Sequence, residues 1–132
     1  MDNNTLDMVK KFHKTYGLPV KETPDISDKK TNQLRINLLA EELDELKEAL
    51  ADGNIVEVLD ALTDLQYVLD GAYLSFGLQA LKMPAFEEVQ RSNMSKLDED
   101  GKPIVREEDG KILKGPNYFK PNLNQFINDE AA

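Results

Sequence analysis

Apolar positions recur at helical spacing through most of the chain and then give way to turn residues. Leu6, Val9, Phe12 and Tyr16 predict a first helix over 5–16, capped by Thr5 or Asn4 and stopped at Gly17. Pro19 and Pro24 make 18–27 an extended connection. Ser27 or Asp28 can cap a second helix running to about Asp52. Asp52-Gly53-Asn54 is a tight break, with Asn54 capping a third helix that runs to about Phe76 and stops near Gly77. So short a turn makes these two helices antiparallel neighbours. Met83-Pro84 opens a fourth helix, to about Lys96. Beyond it lie two Asp-Gly pairs, and Ile104-Val105 with Ile112-Leu113 predict a small hairpin around Glu107–Gly110. Residues 115–121 read as a rigid loop, and the end from about Asn128 as frayed. The fold class is therefore all-α: one domain over 1–132, with a four-helix antiparallel bundle core (1–97) and a C-terminal hairpin and loop extension (98–132).

The two central helices carry carboxylates where packed helices should be apolar. On a wheel of the second, Leu39, Leu43, Leu46 and Leu50 form one stripe, widened by Leu34 and Leu38. Glu42 falls between Leu38 and Leu46, Glu45 lies beside Leu38, and Glu41 is just outside. The third helix is apolar almost all round, with Val58, Leu62, Leu65 and Leu69 as its main stripe. Glu57, Asp60 and Asp64 share one line on it, at i, i+3 and i+7. Acids on such a helix should be buried against a facing helix or a second subunit.

Gathered carboxylates repel one another and lose hydration. They must be protonated, paired with cations or bound to metal, and only Lys47 lies among them. Mg²⁺ or Mn²⁺ answers the need, since both prefer oxygen ligands. The alternative is a pair of ordinary amphipathic helices with solvated acidic faces.

Composition narrows the chemistry. No cysteine is present, which excludes disulfides and thiolate metal sites. A formal charge of −9 argues against wrapping a nucleic acid polymer but not against a small phosphate ligand bridged by a metal. With no run of eighteen apolar residues, no membrane span is expected. Met1-Asp2-Asn3-Asn4-Thr5 lacks the basic and apolar regions of a secretory leader, so a cytoplasmic location is expected. His13, the single histidine, has no partner for a metal site and reads as a surface or partly buried structural residue.

Glu41-Glu42-x-x-Glu45-Leu46, a short turn, then an acidic helix with Asp64-Leu-Gln-Tyr67 resembles the MazG-like all-α nucleoside triphosphate pyrophosphohydrolases. Phosphoribosyl-ATP pyrophosphohydrolases and dimeric dUTPases are relatives of that superfamily. The similarity spans roughly 30–97, and the segment from Arg91 to Phe119 looks like a bacterial or phage subgroup. The family pattern is ExxE followed by ExxD. Glu42 and Glu45 match the first pair, and Asp64 matches the last aspartate by its surroundings. Ala61 stands where the second pair's glutamate is expected, so either Asp60 replaces it or Glu57 and Asp60 form the pair in a shifted register.

The resemblance implies Mg²⁺-dependent cleavage of a (d)NTP to (d)NMP and pyrophosphate, serving nucleotide-pool house-cleaning. Glu42, Glu45, Asp60, Asp64 and Glu57 are the metal candidates. Glu41, Glu42 and Glu45 are the catalytic ones, Glu41 or Glu45 taking a proton from water. Arg91, Asn117 and Lys120 lie near the expected phosphate contacts. Asn93, Lys96 and Lys114 are the substrate-binding candidates, with Tyr118 packing on a base. A third helix this apolar also implies a homodimer or a dimer of dimers. The competing readings are phosphoribosyl-ATP hydrolysis and a non-catalytic helical module that binds a partner.

Overall fold

The computed structural model describes residues 5–131, with side chains through residue 127. The chain divides into two compact units, Met1–Ala80 and Leu81–Ala132.

The first unit holds helices α1 (Thr5–Tyr16), α2 (Lys29–Asp52) and α3 (Ile55–Phe76). Their ends follow the expected chemistry. Asp28 caps α2, its Oδ1 accepting from the backbone N–H groups of Lys30 and Thr31 at 3.0 and 3.3 Å. Gly53 closes α2 at φ 66°, a left-handed conformation that costs glycine little. Asn54 then caps α3 by accepting from Glu57 N–H at 3.1 Å. Thr5 begins α1, while Asn4, the other expected cap, lies outside the described residues.

α3 is the central element, with α2 along it and α1 against it. The 18–27 connection is stitched to the end of α3: Lys21 N–H donates to Leu74 O at 3.0 Å and Asp25 N–H to Phe76 O at 2.9 Å. Gly77, at φ 71°, lies so close to the Thr23 carbonyl that a Cβ there would collide with it.

The buried face differs from the leucine stripes expected on the wheels. Leu43 and Leu50 are 45% and 61% exposed, and Leu62 and Leu69 are 50% and 41% exposed. Arg35 and Ala49 are the buried residues of α2; Ala61, Asp70, Gly71, Ala72, Leu74 and Ser75 are those of α3. Small residues allow close backbone approach, so the seam follows them and leaves part of each leucine stripe outside. His13 is also fully buried, at 2% exposure, rather than at the surface.

The second unit contains α4 (Lys82–Met94), the antiparallel pair β1 (Ile104–Val105) and β2 (Ile112–Leu113), and α5 (Asn124–Ala131). The hairpin has the expected strands, in the register Ile104↔Leu113 and Val105↔Ile112. α4 groups here, with hairpin and tail. The reason lies in its partners. Ser92 Oγ donates to Phe119 O at 2.8 Å, Asn122 N–H donates to Glu88 Oε2 at 2.7 Å, and Arg91 stacks over the Phe119 ring at 4.5 Å. The loop 115–122 is thus laid along α4 by polar contacts that hydrophobic periodicity does not register. α5 is a further departure: the end expected to fray is helical through Ala131.

Candidate metal centre

Helical geometry gathers the acids. Glu42 and Glu45 are one turn apart on the same side of α2, and α3 brings Asp64 to them across the seam. One carboxylate oxygen from each of the three lies within 4.8 Å of the others. Glu42 is the most enclosed. Its Oε1 is buried and accepts no hydrogen bond. Its pKa is raised above the usual carboxylate value of 4.5, first by lost hydration and then by the charges of Glu45, Asp64, Glu41 and Asp60.

Among the described residues no cation donates to Glu42 Oε1. Lys47, the one base among these acids, is exposed and leans 3.9 Å from Asp44. An orphaned buried carboxylate oxygen, two more oxygens in reach and a wholly oxygen donor set fit a hard divalent cation. Such an ion would offset the repulsion that raises the Glu42 pKa.

The remaining acidic candidates are distributed differently. Asp60 is exposed, near enough to Glu42 to act on its charge but outside the close trio. Glu57 is exposed and also outside it. Both line a small acidic cavity of about 170 Å³ together with Glu45 and Glu48. The burial expected of the whole third-helix acid line therefore holds only in part: Asp64 is half-buried, whereas Glu57 and Asp60 face solvent in the isolated chain. Glu41 is exposed beside the trio.

The four substrate-binding candidates lie in the second unit. Asn93 and Lys96 line one apolar cavity of about 430 Å³ with Met94, Leu97, Pro103 and Ile112. Lys114 and Tyr118 form their own pair, the ammonium 4.9 Å from the ring centroid.

The polar group that sequence reasoning missed lies deeper in the first unit. His13, Arg35 and Asp70 are 2%, 5% and 0% exposed. His13 Nδ1 meets Pro19 O at 3.0 Å, which assigns the ring proton to that nitrogen, and burial lowers its pKa so that the ring is neutral. Gln66 donates to Asp70 at 3.1 Å. A cation at the edge of a leucine stripe, four residues before Leu39, was the available signal for Arg35.

By its family match the chain falls in the MazG-like all-α superfamily, whose members are nucleoside triphosphate pyrophosphohydrolases. The family model for phosphoribosyl-ATP pyrophosphohydrolase matches residues 9–93, and the chain belongs to that family. The match contains every acid of the trio and Asn93, and stops short of Lys96, Lys114 and Tyr118. An uncharacterized protein of Acanthamoeba polyphaga mimivirus is 31% identical over 93 residues, covering 67% of this chain but only 37% of that relative. The chain thus spans well under half the length of the curated relative it matches. A crystal structure from Exiguobacterium sp. 255-15, provisionally named an NTP pyrophosphohydrolase, is 25% identical, with a TM-score of 0.47 over 99% of this chain and 95% of that one. No helix among the described residues is long and apolar enough to cross a membrane.

Proposed function

We propose that this protein hydrolyses nucleoside triphosphates to the monophosphate and pyrophosphate, with Mg²⁺ (or Mn²⁺ in its place) held by Glu42, Glu45 and Asp64. The observation that carries the reading is the buried, partnerless Oε1 of Glu42 within a trio of acids, in a chain of a pyrophosphohydrolase family. Held there by Glu42, Glu45 and Asp64, a cation would supply neutralisation of phosphate charge and a lowered pKa for water. Glu42 anchors, because its side chain is the most enclosed. Glu45 and Asp64 complete the oxygen set. Glu41, exposed beside them, accepts the proton that the attacking water loses. Asp60 and Glu57 extend the negative field toward the turn end of the hairpin.

Asn93, Lys96, Lys114 and Tyr118 are proposed as nucleotide contacts, on the strength of the cavity and the cation–ring pair in their own unit. Lys96→Ala should raise KM; unchanged KM and kcat would remove it from the list. A cytoplasmic enzyme of free nucleotides suits this chemistry.

Phosphoribosyl-ATP as substrate is the second reading, favoured by the description of the matching family. A pyrophosphate-release screen across ribo- and deoxynucleoside triphosphates and phosphoribosyl-ATP, with Mg²⁺ and with chelator, separates the two. Release from none of them would end the enzymatic reading and leave a binding module.

Self-association belongs to the same proposal. Leu50, Ile55, Val56, Leu59 and Leu62 are each half exposed or more, and all lie at the turn end of the α2–α3 hairpin. A second copy of the chain would cover them and shield the acids beside them. Sedimentation should give a dimer or tetramer at micromolar concentration; a monomer would refute the point.

A further inference from the structure

A second cavity in the first unit, of about 310 Å³, is walled by α1, α2 and α3. Phe12, Leu38, Tyr67 and Val68 supply apolar and aromatic surface, and His13 and Arg35 are its polar members. Phe12 and Tyr67 meet edge to face, their ring centroids 5.6 Å apart. That is the lining of a small-molecule site: mostly apolar, with few polar groups to orient the ligand.

Two features give the cavity a direction. Leu38 stands one turn before Glu42 on the same side of α2, and Val68 stands one turn after Asp64 on α3. The cavity wall therefore runs on from the acid trio along both helices. Its floor holds an unmet need. Arg35 is 5% exposed, and its Nε–H, a donor on a permanently charged group, has no acceptor. The guanidinium lies against Gly71, where a Cβ would displace Arg35 Nη1. His13, held neutral with its Nδ1 on Pro19 O, adds no second charge.

We propose that this cavity receives the nucleobase of the triphosphate, with Arg35 Nε–H donating to a carbonyl oxygen on the base edge, so that keto bases are preferred over adenine. The inference rests on the pyrophosphohydrolase reading and assigns it a substrate class. From Arg35 to Glu42 is seven residues of helix, about 10 Å, which leaves room for the sugar between base and phosphates. Thymine and guanine present carbonyl acceptors where adenine presents an amino donor. A site built around a buried donor discriminates strongly against a ligand that leaves it unpaired.

The test compares equilibrium binding of a non-hydrolysable thymidine triphosphate analogue, its adenosine counterpart and inorganic tripolyphosphate, all with Mg²⁺. The proteins are the wild type, Val68→Phe, which fills the cavity, and Gly71→Ala and Arg35→Met, which displace or remove the donor. Thermal unfolding establishes that each is folded. In the wild type the thymidine analogue should bind at least about tenfold tighter than the adenosine analogue. Val68→Phe should weaken the thymidine analogue by about tenfold or more and leave tripolyphosphate unchanged. Gly71→Ala and Arg35→Met should bring the two nucleotides to near parity. Tripolyphosphate binding as tightly as the thymidine analogue, or a thymidine analogue indifferent to all three substitutions, overturns the base site while leaving the phosphate reading standing. If neither nucleotide nor tripolyphosphate binds the wild type, both readings fall.

Discussion

Glu42 and Glu88 are the same side chain in opposite circumstances. Glu88, on α4, is 7% exposed and fully engaged: Arg91 donates to both of its oxygens, at 3.0 and 3.2 Å, and Asn122 N–H donates at 2.7 Å. Those donors hold its carboxyl below the usual value of 4.5. Glu42, on α2, has a buried oxygen without a donor and like charges around it, and its carboxyl is pushed above that value. One glutamate is satisfied by its own chain and fastens a loop to a helix. The other has an oxygen that no described residue satisfies. Unmet electrostatic need inside an otherwise consistent fold marks a place for a ligand.

The largest expected effect tests that contrast directly. Glu42→Gln keeps the shape and removes the charge. It should lower kcat/KM by on the order of 10²–10³, while the melting temperature without divalent ions stays level or rises, because repulsion is relieved. Glu88→Gln should do the reverse in stability, lowering the melting temperature by several degrees as Arg91 and Asn122 lose their acceptor charge. A Glu42→Gln protein that unfolds, or one that turns over normally, would make Glu42 another structural glutamate.

The pH dependences should diverge as well. Glu88 has a depressed folded pKa, so its stabilisation is full above 4.5 and is lost as pH falls through the lower folded value. Glu42 has a raised folded pKa, so its ionised form costs stability at neutral pH and that cost disappears on acidification. A bound cation must displace the Glu42 proton, so metal affinity should weaken as pH drops through the raised value. Mg²⁺ should therefore raise the melting temperature at neutral pH, progressively less in mild acid, and not at all in Glu42→Gln. A Mg²⁺ effect that is flat with pH, or retained in Glu42→Gln, would relocate the metal.

These contrasts also show what a linear chain reveals. α1–α4, their caps at Asp28 and Asn54 and the hairpin strands all follow from helical periodicity and local turn chemistry, whereas the choice of Asp64 over Glu57 and Asp60 beside Glu42 and Glu45 did not. Which way the helices face did not follow. Leu43, Leu50 and Leu62 look like core and are half exposed or nearly so, because the seam follows Ala49 and Ala61, and a wheel cannot say how many neighbours a helix has. The grouping of α4 with the tail rests on Glu88, Ser92 and Phe119, contacts separated by tens of residues with no periodic signature. The buried Arg35 was hidden for a related reason: its guanidinium packs against Gly71, thirty-six positions away.

The smallest effect decides how far the centre extends. Glu57 shares a line with Asp64 on α3, yet seven residues of helix separate them by about 10 Å. The oxygens that come within reach of one ion are those of Glu42, Glu45 and Asp64, without Glu57. Glu57 is also exposed, outside the trio, and lines with Glu48 and Asp60 the small acidic cavity that Glu45 borders. Its influence should reach the reaction only through the field, weakened by water and salt. Glu57→Gln should then change kcat/KM by less than about threefold, with Asp64→Asn at the other extreme, close to Glu42→Gln. Equal losses for Glu57→Gln and Asp64→Asn would mean that the 170 Å³ cavity is part of the working centre. That result would put Glu57 beside the bound cation or on a second one next to the trio.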